Sequence, residues 1–155
     1  MAVKGINFFE SVEFLDLESE INRRNVISRS YYSAYNSIKE KITDVPQYSG
    51  VGCHESLCVY LKQTTDFKPE NKRSAQRIGL FLTSLKSNRH RADYDLNMDI
   101  TVQETNMLRE QTREFLSLIS ETSFEKRVIS EPVKIGAIAD RQKQKTKGSH
   151  LKVIK

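Results

Sequence analysis

The strongest constraint on the fold is an apolar stripe between residues 27 and 42. Isoleucine, tyrosine and alanine side chains recur there every three or four residues, which places them on one face of an α-helix. They are Ile27, Tyr31, Ala34, Tyr35, Ile38 and Ile42. The pattern predicts a helix over residues 20–44 that ends before Pro46, because the residue preceding a proline disfavours helical geometry.

Four other segments carry helical patterns, separated by loops rich in glycine, proline and polar residues. Pro69 suits the first turn of one of them, where its missing N–H is not needed. Thr101 and Glu104 predict a capping box, in which each side chain accepts a hydrogen bond from a free backbone N–H. The four predicted helices cover residues 6–18, 53–65, 70–93 and 101–121.

Composition agrees with a helical fold. The 155 residues suffice for one domain with a modest core, and the absence of Trp together with only 6 Gly and 3 Pro argues against a β-rich fold with many tight turns. No apolar run approaches the ~20 residues that span a bilayer, and the first residues lack a signal-peptide core. We therefore predict an all-α, antiparallel up-and-down bundle of four or five helices over residues 1–125. We expect a cytoplasmic protein with no membrane association.

Basic residues are concentrated at the C-terminal end. The net charge is +5, but residues 126–155 carry nine Lys or Arg and two acids, which leaves −2 on the other 125 residues. We predict a basic, flexible tail over residues 126–155. Such a tail is either a solvated chain end or a segment that attracts RNA, DNA or an acidic partner.

The segment 89–95, Arg-His-Arg-Ala-Asp-Tyr-Asp, is the main candidate for chemistry. Arg89 falls eleven residues after Ile78, so it continues the apolar stripe of the fourth predicted helix. An arginine in line with a core stripe needs a carboxylate, a partner subunit or a bound phosphate. Asp93 is one helical turn away, whereas His90 and Tyr94 are neighbours on an adjacent side.

Two interpretations of this segment stay open. In the structural one, Arg89 pairs with Asp93, Tyr94 covers the core and His90 is a surface residue. In the nucleolytic one, His90 moves protons while Arg89 clamps a phosphate, as metal-independent RNA cleavage requires. One helix supplies only one histidine, so a symmetric dimer would bring two copies into a shared cleft.

A second group of reactive side chains, Cys53, His54 and Cys58, is less specific. Three ligands at this spacing do not form a usual zinc motif, and Cys53 and His54 point apart on a helix, which disfavours a nucleophile–base pair. The chain has no Gly-rich phosphate loop, no acidic metal cluster and no Ser-His-Asp arrangement. We expect reduced thiols, no metal and no cofactor.

Two segments carry a family resemblance. The first is Arg-Arg-Asn-Val-Ile-Ser-Arg-Ser-Tyr-Tyr-Ser-Ala-Tyr-Asn at residues 23–36, and the second is Leu-Lys-Ser-Asn-Arg-His-Arg-Ala-Asp-Tyr-Asp at residues 85–95. The first resembles the aromatic second helix of the HEPN family of small helical proteins. The second is similar to the Arg-x-x-Ala-Asp-Tyr ending of one branch of that family. The resemblance covers residues 5–122.

The resemblance implies a dimeric bundle of four or five helices. Many HEPN proteins are metal-independent endoribonucleases of toxin–antitoxin or antiphage systems, with the sites of two subunits meeting at the interface. Others have no shown activity and accompany a small nucleotidyltransferase. Arg89 matches the arginine of the family motif, whereas the motif histidine corresponds to Ala92, and no arginine lies four to six residues before His90.

Three hypotheses for function follow. The first is an RNA-directed toxin or antiviral defence module, an endoribonuclease that uses Arg89, His90, Asp93 and Tyr94 in a homodimer. The second is a non-catalytic module that pairs with a nucleotidyltransferase, an antitoxin or another protein. The third is a nucleic-acid binder that uses its basic tail.

Overall fold

The computed structural model describes residues 2–127, and the regular structure in that range is helical apart from one isolated β-bridge. This confirms the predicted all-helical bundle. The five helices are α1 (Gly5–Glu10), α2 (Glu20–Lys39), α3 (Cys53–Gln63), α4 (Pro69–Tyr94) and α5 (Val102–Glu121). The predicted basic tail, except for Lys126 and Arg127, lies outside the described residues.

The first two helices are shorter than predicted. Helix α1 ends at Glu10 rather than at residue 18, and α2 ends at Lys39 rather than at residue 44. Val12 and Ile42 are nevertheless buried. The chain folds back in turns after each helix, so the apolar spacing that predicted helix also fits a packed turn. The other predicted bounds agree with the observed ones to within two residues.

Helices α2 and α4, which pack together, run antiparallel. Arg89 and Asp93 of α4 face Tyr32 and Ser28 of α2, so the residue numbers run in opposite directions. Glycine allows the closest approaches: a Cβ added at Gly5 would lie 2.3 Å from the backbone nitrogen of Ser37 on α2. The bridge between Phe67 and Lys126 joins the start of α4 to the chain that follows α5.

The core is organised around α2, which packs against α1, α4 and α5. Its buried face contains the predicted stripe, in which Tyr31 is 2% exposed and Ile38 is fully buried. Helix α3 packs along α4. The buried apolar residues of all five helices form one cluster, which also includes Phe67 and Ile100 from the connections. The helices therefore share a single core.

Two arginines at the start of α2 hold the connection between α4 and α5. Arg24 is 7% exposed, and its guanidinium donates to the carbonyl oxygens of Ala92 and Met98, each at 2.7 Å. Arg23 donates to the carbonyl of Ile100 at 2.5 Å. These bonds satisfy the Ala92 carbonyl, which the end of α4 leaves without a helical partner, and two carbonyls of the connection itself. The first two basic residues of the resemblance segment are therefore structural.

The start of α5 confirms half of the predicted capping box. The Thr101 hydroxyl accepts from the backbone N–H of Glu104 at 3.1 Å. The carboxylate of Glu104 does not return the bond. It forms an ion pair with Arg91 instead, and this pair links the last turn of α4 to the first turn of α5. No helix within residues 2–127 is long and apolar enough to cross a membrane.

Candidate functional site

Arg89 lies on α4 where that helix faces α2. Its Nε is 2.6 Å from Oδ2 of Asp93, and its Nη2 donates to the Tyr32 hydroxyl at 2.8 Å. The guanidinium carbon is also 5.0 Å from the ring centroid of Tyr94 and 5.4 Å from that of Tyr32. Of the partners that an arginine on the apolar stripe could have, the structure shows a carboxylate, that of Asp93. The rings of Tyr32 and Tyr94 orient the guanidinium.

The guanidinium of Arg89 is partly exposed, with 22% of the side chain accessible. Its Nε is buried and makes no aligned hydrogen bond, although the Asp93 carboxylate is close. The Tyr94 hydroxyl also lies within hydrogen-bonding reach of the guanidinium. Arg89 is thus held in place by one ion pair and two phenols, and its exposed part is available to an anion.

Asp93 is committed to holding Arg89. Its Oδ2 contacts the arginine and also accepts from the Ser28 hydroxyl at 3.3 Å. Both contacts use the same oxygen, and pairing with a positive charge makes a carboxylate a weaker base. Of the four predicted site residues, Asp93 therefore acts as a positioning residue.

His90 lies beside Arg89 in the chain but on a different side of α4. Its ring is exposed and contacts the ring of Tyr94, with centroids 5.0 Å apart. Tyr94 is 59% exposed. The structure therefore brings Arg89, Asp93 and Tyr94 together and leaves His90 at the rim of that group, in contact with Tyr94.

A second histidine lies in the same region, although the sequence had grouped it only with the neighbouring cysteines. His54, the second residue of α3, has its Nδ1 2.5 Å from the Tyr31 hydroxyl. Its ring stacks on Tyr35 with centroids 4.1 Å apart and meets the edge of Tyr32 at 6.5 Å. Tyr32 is the residue whose hydroxyl accepts from Arg89, so α2 links the two basic residues.

The surroundings favour the neutral form of His54. Burial lowers its pKa from the ordinary 6.5, and the positive charges of Arg89, Lys86 and Lys39 lower it further. Burial raises the pKa of Tyr31, so its phenol stays protonated. The Tyr31 hydroxyl has no other hydrogen-bond partner within residues 2–127, which favours donation to Nδ1 and places the imidazole proton on Nε2.

Burial likewise raises the pKa of Tyr35 to about 12, and a hydrogen bond to Cys53 contributes to the shift. Tyr31 and Tyr35, which both contact the His54 ring, are therefore neutral phenols. Lys39 lies above the Tyr35 ring, with its Nζ 5.9 Å from the centroid. Lys86 forms an ion pair with Glu55 at the side of the site. The site combines aromatic surface with positive charge.

The cysteines do not form a reactive centre with His54. Cys53 is exposed, Cys58 is buried, and both are free thiols. Burial raises the pKa of Cys58, which makes it a poor nucleophile at neutral pH. The Nδ1 of His54 is occupied by Tyr31. No group of three His, Cys, Asp or Glu side chains suited to a metal ion occurs in the part of the chain that the structure describes.

Sequence patterns alone offered one signal for His54. His54 falls in the first turn of a predicted helix, two residues after Gly52, where a side chain lies close to the helix end. The pairing with Tyr31 joins residues 23 positions apart and depends on how α3 meets α2, which local spacing does not encode. The predicted groupings of His54 with its neighbouring cysteines were local and missed this contact.

Fold and site together define an all-helical bundle with an arginine–histidine–tyrosine site between α2, α3 and α4. No protein-family model matches the chain, and no curated protein or solved structure matches it either.

Proposed function

We propose that this protein is an RNA-directed toxin or defence module that cleaves RNA without a metal ion, as the resemblance to HEPN proteins implies. One observation carries the proposal. Arg89 is held by Asp93 and Tyr32, yet its side chain is partly exposed, and the two tyrosines against it, Tyr94 and Tyr32, also contact His90 and His54. This is the arrangement that holds a phosphodiester and stabilises the charge that develops on it.

The chemistry requires two proton transfers. A base removes the proton of the 2′-hydroxyl, the 2′-oxygen bonds to phosphorus, the bond from phosphorus to the 5′-oxygen breaks, and an acid protonates that oxygen. The product is a 2′,3′-cyclic phosphate and a free 5′-hydroxyl. Arg89 holds the phosphate, and His90 from each of two copies supplies the proton transfers in a composite site.

The surface around His90 supports association of two copies. Apolar side chains are exposed at the end of α4 and the start of α5, where a soluble monomer normally presents polar ones. They are Tyr94, Leu96, Met98, Val102 and Met107. A homodimer that covers this surface would bring two His90 side chains close together. Leu96→Asp would then shift the molecular mass measured by light scattering from dimer to monomer.

The test of the proposed function is cleavage of single-stranded RNA in EDTA. We expect the parent protein to cut, and Arg89→Ala to lose about 10²–10³-fold in rate, the usual cost of removing a donor to the developing charge. Arg73→Ala, an exposed arginine on the same helix, is the matched control. A thermal midpoint within a few degrees of the parent would show that Arg89→Ala is folded.

No cutting by the parent, or equal cutting by Arg89→Ala, would overturn the proposal. The second candidate, a non-catalytic module that pairs with a nucleotidyltransferase, antitoxin or other protein, would then take its place. A groove of about 540 Å³ between α4 and α5 favours this candidate. Leu80, Phe81, Phe115 and Leu118 line it, and Leu80 is 64% exposed. Co-purification with the product of an adjacent gene would support it.

A further inference from the structure

The two ring nitrogens of His54 differ in what they contact. Nδ1 is bonded to the Tyr31 hydroxyl, a residue that is 2% exposed. Nε2 has no hydrogen-bond partner within residues 2–127 and is not one of the buried unpartnered atoms there, so it faces solvent. A neutral imidazole held in this way presents an N–H donor outward, and a protonated one presents a positive charge as well.

Charged and titratable groups face His54 from each helix packed around it. Helix α2 contributes Tyr31, Tyr32, Tyr35 and Lys39, helix α3 contributes Cys53 and Glu55, and helix α4 contributes Lys86 and Arg89. Glu55 pairs with Lys86 and Asp93 pairs with Arg89, so the positive charge of Lys39 is left as the surplus. An unoccupied surplus of positive charge opposes protonation of His54, and an anion would remove that opposition.

We propose that His54 and Arg89 of one protomer form a binding site for a phosphodiester group of single-stranded RNA, and that His54 takes up a proton when the phosphodiester binds. The identity of the ligand rests on the function proposed above. Nε2 of His54 and the exposed part of the Arg89 guanidinium donate to the phosphodiester oxygens, and both side chains contact Tyr32. Binding at this site needs no second copy of the chain.

Proton uptake fixes the sign of the pH dependence. The bound anion stabilises protonated His54, so affinity rises as pH falls through the range in which His54 titrates. The phosphodiester itself stays singly charged there. From high to low pH, the binding constant rises by ~10-fold for each unit by which the bound anion raises the pKa of His54.

The experiment measures binding of a fluorescent 2′-O-methyl RNA oligonucleotide, which cannot be cut because it lacks the 2′-hydroxyl. Anisotropy gives the dissociation constant at about pH 5.5 and about pH 7.5, on either side of the usual histidine range. The parent should bind more tightly at the lower pH. His54→Gln, which keeps a hydrogen-bonding side chain but cannot be protonated, should lose most of this difference. Arg73→Ala, the exposed arginine of α4 that serves as the control in the cleavage assay, is the control here as well and should keep the difference.

A second measurement guards against a folding defect in His54→Gln. The ring resonance of His54 in the parent, assigned by its absence from the variant, should titrate at a higher pH once the oligonucleotide is added. Tyr31→Phe removes the bond to Nδ1 and should change the titration of His54 while leaving some pH dependence of binding. Equal pH dependence in parent and His54→Gln, or a resonance that the oligonucleotide does not shift, would overturn the proposal.

The outcome is separable from that of the cleavage test. A parent that cuts no RNA but binds the oligonucleotide with a proton uptake that His54→Gln abolishes would reject the nuclease and retain this site. A parent that cuts RNA, with binding unaffected by His54→Gln, would retain the nuclease and reject this site.

Discussion

Individual side chains show how closely α2 is packed. Ser30 and Ser33 are fully buried on this helix, and neither hydroxyl has a hydrogen-bond partner within residues 2–127. Burying an unpartnered hydroxyl costs free energy that a methyl group does not. Small side chains at these positions are needed for close packing, but their polarity is not.

Ser33→Ala should therefore stabilise the protein. We expect the free energy of unfolding to rise by about 1 kcal/mol, since the substitution removes a desolvated hydroxyl and improves helix propensity. Urea denaturation gives the value. Ser120→Ala is the control, because that serine is exposed and its hydroxyl already donates to the Ser117 carbonyl. A destabilised Ser33→Ala would mean that the hydroxyl has a partner in the folded protein.

His54 also makes stability depend on pH. Its folded-state pKa lies below the ordinary 6.5 because of burial and nearby positive charge. As pH falls below about 6.5, the unfolded chain binds a proton at this residue before the folded chain does, so stability falls. The contribution is fully present above that pH and is lost as pH drops through the folded-state pKa.

We expect the thermal midpoint of the parent to fall between about pH 7.5 and pH 5 by more than that of His54→Gln. His90→Gln, which changes an exposed histidine, is the comparison variant. The measurement is a set of melting curves in buffers free of phosphate and sulfate, because an anion at this site would oppose the effect. Parallel curves for the parent and His54→Gln would contradict the prediction.

At the scale of helices, contact between α1 and α2 depends on one glycine. A Cβ at Gly5 would meet the backbone nitrogen of Ser37 at 2.3 Å and the carbonyl carbon of Asn36 at 2.8 Å. Backbone atoms of a central helix cannot move aside as a flexible side chain does. The backbone N–H of Gly5 also donates to the Glu40 carboxylate at 2.6 Å.

Gly5→Ala should consequently displace α1 from the bundle. We expect a loss of about 2–3 kcal/mol in the free energy of unfolding, at the upper end of the cost of overpacking. Chemical denaturation gives the loss. Gly52→Ala is the control: its Cβ meets nothing within 4 Å, so its cost is limited to about 1 kcal/mol for the change of N-cap residue. Equal losses in the two variants would show that α1 is not held as described.

The sequence predicted these elements well where the pattern was long and local. The stripe from Ile27 to Ile38 identified α2, and Thr101 identified the start of α5. The predicted end of α1 was wrong because Val12 follows Phe9 at helical spacing but packs from the turn after the helix. The pairing of Arg89 with Asp93 followed from helical spacing alone. The contact of His54 with Tyr31 did not, because it depends on the packing of two helices joined by a loop.

For the whole molecule, charge is separated along the chain. Beyond Arg127 lie seven of the 25 Lys and Arg residues and two of the 20 acids, so residues 1–127 carry equal numbers of basic and acidic side chains. A neutral body attracts nucleic acid only through local positive sites such as the one around Arg89. Residues 128–155 carry seven basic and two acidic residues, so we expect any general attraction for a polyanion to come from them.

Deleting residues 128–155 should lower affinity for single-stranded RNA and flatten its dependence on salt. The logarithm of the binding constant falls with the logarithm of salt concentration by about 0.7 for each phosphate neutralised on a single strand. We therefore expect a smaller slope in a titration from low to physiological salt. An unchanged slope would assign all phosphate contacts to the body.

The link between His54 and Tyr31 has a consequence for how the native state opens. Helix α3 packs along α4, and His54 is one of the side chains that connect its first turn to α2. Protonating His54 weakens that connection without touching the interfaces of α2 with α1, α4 and α5. Amide hydrogens of α3 should then exchange with solvent faster in acid than those of α2, so that α3 opens as a cooperative unit of its own. His54, which we propose to sense a bound anion, would then also set how often α3 detaches from the bundle.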